Sequence, residues 1–312
     1  HVGEVSAKGL LQNFDLEKYS NELELLQKQS VGLSHQSYNI DGHQWALALD
    51  AATQVSCYRN DLITSHPKSW DDLFQLSKNN KVIWPLKPVH AISSFYSIYN
   101  NITEEFQPSN KNFIQKDFGI KTLQMMKRIS QQLPSECFGM DPIKTAEILS
   151  EHNEFFYSPY TYGFSNYSRT GYRKNLLTYG NVIDLSGKGP CGTHLGGTGI
   201  AISNKSKNKE LALEYSYWIA GSECQQTIFY TNGGQPGNSD AWENNNINLE
   251  TNNFFKNTRL TLDQAWIRPR HNGYMKFQDE SGNIINEYLQ SNVNEVNVID
   301  KLKLMYAESF EE

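Results

Sequence analysis

Five of the chain's 17 tyrosines lie within the segment FFYSPYTYGFSNYSRTGYR, residues 155–173. A buried core would be richer in Leu, Ile and Val than this segment is. A tyrosine offers a flat apolar ring and a hydroxyl that usually needs a partner. That combination suits a sugar, which is apolar on its C–H faces and polar at its hydroxyls. Tyr160 and Tyr162, just after Pro159, are therefore candidate ligand contacts, and packing beneath a turn is the alternative.

Asp50, Thr53 and Trp84 are further candidates for contact with a hydroxylated ligand. An Asp carboxylate can accept hydrogen bonds from two hydroxyl groups, a common way to recognise a diol. A turn-capping role is the alternative for Asp50. Trp84, in the short run VIWPL, can form the floor of a cleft or fill a core, and we favour the core.

The segment IRPRHNGY places two arginines, Arg268 and Arg270, around Pro269 and ahead of Tyr274. Two guanidinium groups cannot both be buried cheaply without acidic partners. Arg268, Arg270 and Tyr274 can therefore hold a carboxylate or phosphate of a ligand. Salt bridges at the surface or at a hinge are the alternative that we favour.

Cys191 and His194 are spaced so that they could act as a thiol and its base, or as half of a metal site. No second Cys/His pair stands nearby, and neither the H-E-x-x-H nor the G-x-S-x-G motif occurs. A pair of glycosidase carboxylates stays possible in a chain with 34 acidic residues. The sequence favours binding without catalysis, cofactor or metal, and an enzyme that uses Cys191 and His194 is the alternative.

Composition limits the class of protein to which the chain can belong. A length of 312 residues predicts two domains. The net charge of −6 and the lack of a Lys/Arg block argue against nucleic acid and anionic membrane as partners. No apolar run approaches the roughly 20 residues of a membrane span. The opening HVGEVSAKG has neither Met nor a signal-peptide pattern, and we expect that the chain begins inside a longer one.

Strand and helix signals alternate along the chain, which predicts an α/β fold. Asp41-Gly42 predicts a hairpin, and Ser69 followed by Asp72 predicts the start of a helix. Apolar spacing predicts helices over residues 121–132 and 207–221, and a mostly helical tail over 281–306. KVIWPLKP is predicted to be a short strand and NNNINLETNNFF a surface loop. GPCGTHLGGTG is predicted to be a glycine loop, without the spacing of a phosphate-binding loop. The four cysteines are predicted to be free and mostly buried, although a bridged pair stays possible.

Several segments, in order, resemble the family 1 extracellular solute-binding proteins, the maltose-binding-like group. They cover essentially the whole chain and are DGHQWALALDAATQVSCYRNDL, HPKSWDDLFQLSK, NEFFYSPYTYGFSNY, LGGTGIAISNKSKNKELALEYSYWIAGSECQQ, GGQPGN and WIRPRHNGYMKFQ. Proteins of that group begin with a strand, helix and strand that have no counterpart here. The resemblance therefore leaves the ligand contacts of that early portion unlocated.

The resemblance implies two α/β lobes with the ligand cleft between them, each a mixed sheet flanked by helices. Crossings near Ala52, Asp184 and Gly237 assign residues 1–52 and 186–237 to lobe I, and residues 53–185 and 238–312 to lobe II. Gly196 and Gly197 would then let the backbone approach the ligand.

The resemblance also implies a role, which is to capture a carbohydrate or another small polar or acidic solute for an ABC transporter permease. The protein would act as a monomer outside the cytoplasm and without chemical conversion. A cytosolic sensor of the same fold is a further alternative.

Overall fold

A computed structural model gives the structure of residues 2–63, 65–103 and 113–311. The described residues form a mixed α/β structure, as the sequence predicted. None of the helices within these ranges has the length and apolar character needed to cross a bilayer.

Helices make up most of the regular structure. Their bounds are α1 Val2–Ala7, α2 Ser20–Lys28, α3 Trp70–Lys78, α4 Pro88–Ile102, α5 Lys116–Ser130, α6 Pro142–Glu151, α7 Lys209–Ala220, α8 Ser222–Cys224, α9 Ser239–Glu243, α10 Asn245–Glu250, α11 Phe254–Asp263, α12 Tyr274–Gln290 and α13 Glu295–Glu308. A π-helical turn, Gln225–Phe229, follows α8 directly.

The strands are short except for one. Their bounds are β1 Leu11–Gln12, β2 Asn39–Ile40, β3 His43–Gln44, β4 Leu47–Tyr58, β5 Tyr157–Tyr162, β6 Thr178–Gly180, β7 Leu195–Ile200 and β8 Ile202–Ser203. The pairs β1–β8 and β2–β3 are antiparallel, as are the pairs that β4 makes. Isolated parallel bridges join Val82 to Tyr157 and His194 to Trp266.

Strand β4 connects two sheets. Its first half, up to Thr53, pairs with β7, and its second half, from Gln54, pairs with β5 and β6. The change of partner falls next to Ala52, where the sequence predicts a crossing between lobes. The division of the whole chain into lobes stays a prediction.

Three clusters of buried side chains form the core. The largest packs α3, α4, α5, α12 and α13 together and includes Trp84 and Tyr160. A second lies around β4, β6 and α11. The third is small, joins β4 and β8 to α2 and α7, and includes Phe14 and Tyr217. Burial of apolar surface in such clusters is the dominant favourable contribution to folding.

Local signals in the sequence predicted many of these elements. The Asp41-Gly42 turn links β2 to β3 with both residues at positive φ, as a two-residue hairpin requires. Ser69 and Asp72 form the predicted capping box at the start of α3. The helices predicted over residues 121–132 and 207–221 and the helical tail are confirmed as α5, α7, α12 and α13, with ends that differ by a few residues. All four cysteines are free, and all but Cys191 are buried.

Three local predictions are wrong. KVIWPLKP forms no strand beyond the isolated bridge at Val82. NNNINLETNNFF contains α10 and the start of α11, because Asn244 caps α10 by accepting hydrogen bonds from two backbone N–H groups. Gly196 and Gly197 lie in strand β7 and not in a loop, since β7 pairs with β4 along six positions.

Candidate functional site

A cavity of about 380 Å³ lies beside β7, on the side where that strand is exposed. This volume is within the range of small-molecule sites. The cavity is lined by Val2, Val5, Leu11, Ser37, Tyr38, Ala46, Leu195, Gly196, Gly197, Thr198, Gly199, Ala201, Arg268 and Arg270. Its wall is thus mainly apolar side chains and glycine backbone, with two cationic side chains, one phenol and the hydroxyls of Ser37 and Thr198.

The glycines of β7 make space in this region. A Cβ atom at Gly196 would lie 2.6 Å from the Tyr162 ring, and one at Gly199 would lie 2.8 Å from the Tyr38 ring. Gly197 has a φ of +102°, and a Cβ there would lie 2.3 Å from the backbone oxygen of Asp50. The sequence LGGTG therefore brings two tyrosine rings and the β4 backbone closer to β7 than side chains would allow.

The arginines reach the cavity on the segment that joins α11 to α12. Trp266 donates a backbone hydrogen bond to Thr193 O at 2.7 Å and accepts one from Leu195 N at 2.9 Å. These bonds hold the segment beside the start of β7. Arg270, Gly196 and Gly197, which are three of the predicted ligand contacts, all line the cavity. Their contact with a ligand stays a prediction.

Arg268 and Arg270 are partly buried, and neither makes an ion pair within the described residues. Arg268 Nη1 donates to Gln278 Oε1 at 2.8 Å. The Nε atom of each arginine is buried without a hydrogen-bond partner among the described residues. Burial, and then the charge of Arg268, lower the pKa of Arg270 to about 10. The salt bridges that we favoured from the sequence are absent from this part of the structure.

Tyr38 and Asp50 lie close to one another at the edge of the cavity. Burial raises the pKa of the Tyr38 hydroxyl. The positive charge of Arg270 lowers this pKa, and the negative charge of Asp50 raises it. Asp50 lies on β4 opposite Thr198, and burial raises the pKa of its carboxyl to about 7. No hydrogen bond joins this carboxyl to any described residue, so the alternative of a turn-capping Asp is wrong.

Tyr162 contacts the cavity wall from beneath. Its ring packs against Gly196, and its hydroxyl lies 2.9 Å from His194 Nδ1, which is also 2.9 Å from Ser93 Oγ. Burial raises the pKa of Tyr162. Because its hydroxyl already has protein partners, Tyr162 supports the wall and is not itself a lining residue of the cavity.

Four other predicted residues lie in the core. Tyr160 is 0% exposed and packs against Trp84 and Trp70, which contradicts the accessible ring that we expected from the sequence. Trp84 is equally buried, as we favoured. Thr53 donates to Thr193 Oγ1 at 2.8 Å, and Tyr274 donates to the hydroxyl of Tyr96 at 3.3 Å. These side chains face other elements of the protein because long-range packing, which their local sequence does not encode, surrounds them.

The Cys191–His194 pair lacks the geometry of a nucleophile and its base. No hydrogen bond joins the two side chains among the described residues, and Asn101 Nδ2 approaches Cys191 Sγ at 3.6 Å. Burial raises the pKa of Cys191, which disfavours the thiolate. Burial, and then Arg268 and Arg270, hold the pKa of His194 well below its usual value. The described residues contain no group of three or more metal-ligating side chains.

Sequence reasoning missed the part of the wall formed by the N-terminal helix, by β1 and by the residue just before the first hairpin. Val2, Val5 and Leu11 are ordinary apolar residues, and Tyr38 stands alone before the Asp41-Gly42 turn. The only local signal was the three glycines of β7. They indicate that other parts of the protein approach this strand closely, but they do not indicate which parts.

Comparison with known proteins agrees with this architecture. The family model described as "Bacterial extracellular solute-binding protein" matches residues 1–253. None of the curated proteins matches the chain.

Solved structures resemble it over nearly its whole length. Maltose-bound MalE3 of T. maritima has a TM-score of 0.81 at 14% identity, covering 98% of this chain and 81% of that one. A solute-binding protein of an ABC transporter from Agrobacterium radiobacter K84, in complex with ribitol, has a TM-score of 0.79 at 17% identity, covering 98% and 82%. One from Thermotoga lettingae TMO, bound to α-D-tagatose, has a TM-score of 0.77 at 13% identity, covering 99% and 82%. At these identities the likeness shows the fold, which is the predicted two-lobed fold of periplasmic binding proteins.

Proposed function

This chain belongs to the bacterial extracellular solute-binding proteins, and from that membership we propose that it captures a small hydroxylated solute in the cavity beside β7. The observation that carries this proposal is the cavity itself. It combines apolar side chains and bare backbone with a few polar groups, which is the usual composition of a small-molecule site.

The position of the cavity supports capture between two lobes. Under the predicted division of the chain, Arg268 and Arg270 come from lobe II, and the other lining residues come from lobe I. A solute that contacts both lobes binds the closed form more tightly than the open form, and so shifts the equilibrium towards closure. The closed form would then be recognised by the permease of an ABC transporter.

The structural neighbours support a polyhydroxylated ligand. The three compared above hold maltose, ribitol and α-D-tagatose, respectively. Each offers several hydroxyl groups on a carbon skeleton. In this chain, the hydroxyls of Ser37, Tyr38 and Thr198 and the exposed β7 backbone are groups beside the cavity that suit a hydroxylated solute. Asp50 interacts with Tyr38.

We propose that the protein performs no chemistry on its solute. The raised pKa of Cys191 and the lowered pKa of His194 support this, because they disfavour both the thiolate and the imidazolium. The name of the family supports a site of action outside the cytoplasm, either periplasmic or held at a membrane surface, and we propose that the protein acts there as a monomer.

Isothermal titration calorimetry and mass spectrometry test this function together. The protein is titrated with maltose, ribitol and tagatose, and with the corresponding sugar acids and phosphates. We expect one chemical class to bind with a 1:1 stoichiometry and to be recovered unchanged. Recovery of a converted product, lost in the Cys191→Ala variant, would instead establish the enzyme alternative.

A further inference from the structure

The charge of Arg268 and Arg270 is not balanced by any carboxylate of the described protein. Four of the chain's seven arginines pair with Asp or Glu; these are Arg59, Arg128, Arg173 and Arg259. Arg169 instead lies over the Tyr230 ring and donates to that residue's backbone oxygen. Among the arginines of the described residues, only Arg268 and Arg270 are partly buried and have neither an ion pair with a carboxylate nor a cation–π contact with an aromatic ring.

This arrangement is unfavourable in the absence of an anion. Burying a charged group without a partner costs several kcal/mol, and two such groups of like sign also repel each other. The buried Nε atoms of both arginines lack hydrogen bonds among the described residues. The nearby carboxyl of Asp50 interacts with Tyr38, but it makes no ion pair with either arginine.

Both arginines line the same cavity, so the parts of their side chains that face it can contact a ligand. A guanidinium group presents several N–H donors in a plane, which matches the oxygen atoms of a carboxylate or phosphate. The rest of the cavity wall includes Val2, Val5 and the backbone of β7. These groups would contact the carbon skeleton and hydroxyls of the same molecule.

We propose that the solute is a hydroxylated small molecule with one carboxylate or phosphate group, and that Arg268 and Arg270 bind that group. This inference rests on the proposed function, because it assumes that the cavity beside β7 is the solute site. It narrows the ligand from any polyhydroxylated compound to an anionic one.

Matched pairs of neutral and anionic compounds test the inference by calorimetry. The pairs are ribitol with ribonate, ribitol with ribitol 5-phosphate, and tagatose with tagatose 6-phosphate. We expect that in at least one pair the anion binds at least ten-fold more tightly than its neutral partner. The carboxylate and phosphate arms show which of the two anionic groups the site prefers.

Three variants assign that preference to the arginines. Arg270→Gln and Arg268→Gln should each remove most of the difference between anion and neutral compound, and Arg270→Lys should keep part of it. Arg128→Gln, which removes an exposed arginine paired with Asp71, is the matched control and should bind as the parent protein does.

A thermal-shift assay with inorganic phosphate gives a readout that needs no organic ligand. At equal ionic strength, phosphate should raise the Tm of the parent more than chloride does, and this difference should disappear in Arg270→Gln.

The two proposals fail differently. If ribitol and tagatose bind as tightly as their anions in every pair, the inference is overturned and the solute-binding function stays intact. Tight binding of an anion that survives in both glutamine variants would overturn the role of the arginines. If no compound of any pair binds, and phosphate does not raise the Tm, both the inference and the proposed cavity are contradicted.

Discussion

At the scale of single residues, the chain separates its tyrosines into two kinds. Tyr38 lines the cavity, whereas Tyr160 lies in the core against two tryptophans. Both kinds look alike in the sequence, because an aromatic ring with a hydroxyl suits a ligand and a core equally well. The tyrosine-rich segment is therefore explained for the most part by packing, and the ligand contact we expected at Tyr160 is not supported by its burial.

Replacing Tyr160 should affect stability and not affinity. Tyr160→Ala leaves a cavity in the largest core cluster and should lower the free energy of unfolding by about 3–5 kcal/mol. Tyr160→Phe should not lower it, because the hydroxyl of Tyr160 has no hydrogen-bond partner among the described residues. Urea unfolding measures both changes, with the exposed Tyr172→Ala as the control. An alanine variant of unchanged stability but weakened solute binding would restore the original expectation.

Asp50 should make stability depend on pH. Its pKa is about 7 in the folded protein, against about 3.9 for an unperturbed Asp. The folded state therefore binds more protons than the unfolded state between these values, and stability falls as pH rises from about 4 to about 7. Asp50→Asn should remove this loss and be more stable than the parent at pH 8, by up to about 4 kcal/mol. A parent and variant with parallel pH profiles in urea unfolding would show that burial of Asp50 carries no such penalty.

At the scale of elements, the helices and strands that were predicted correctly are those that local sequence signals define. The α3 capping box, the Asp41-Gly42 hairpin and the apolar spacing of α5 each depend on residues a few positions apart. Strand β7 is different, because its glycines have low strand propensity and its pairing with β4 joins residues about 150 positions apart. No local pattern reports such a pairing, and the glycine-rich run was therefore predicted to be a loop.

The close approach of β7 to β4 should make Gly197 intolerant of substitution. Gly197→Ala places a Cβ atom 2.3 Å from the Asp50 backbone oxygen at a φ of +102°, so we expect a loss of more than about 3 kcal/mol. Gly187→Ala is the matched control, since its φ is +80° and no atom lies within 4 Å of the added Cβ. The control should cost only about 1–2 kcal/mol. Equal losses for the two variants in urea unfolding would mean that contact with β4 does not constrain β7.

At the scale of the whole molecule, the order of segments was more informative than any single motif. The resemblance along the chain predicted the two-lobed fold, which the structural comparisons confirm. The candidate site was predicted only in part, since Gly196, Gly197 and Arg270 line the cavity but Val2, Val5 and Tyr38 were missed. Those residues come from separate segments that only the folded chain brings together.

The central claim of this account is that the solute binds in the cavity beside β7. Thr198 is exposed on that strand and lines the cavity, so Thr198→Trp should fill the space without disturbing the core. The same substitution at Thr231, which is exposed elsewhere, is the control. Calorimetric titration of both variants with ribitol, ribonate, tagatose and maltose is the most direct measurement. The account predicts at least ten-fold weaker binding in Thr198→Trp, an unchanged Tm, and parental affinity in Thr231→Trp. A folded Thr198→Trp variant that binds its solute as tightly as the parent protein would contradict it.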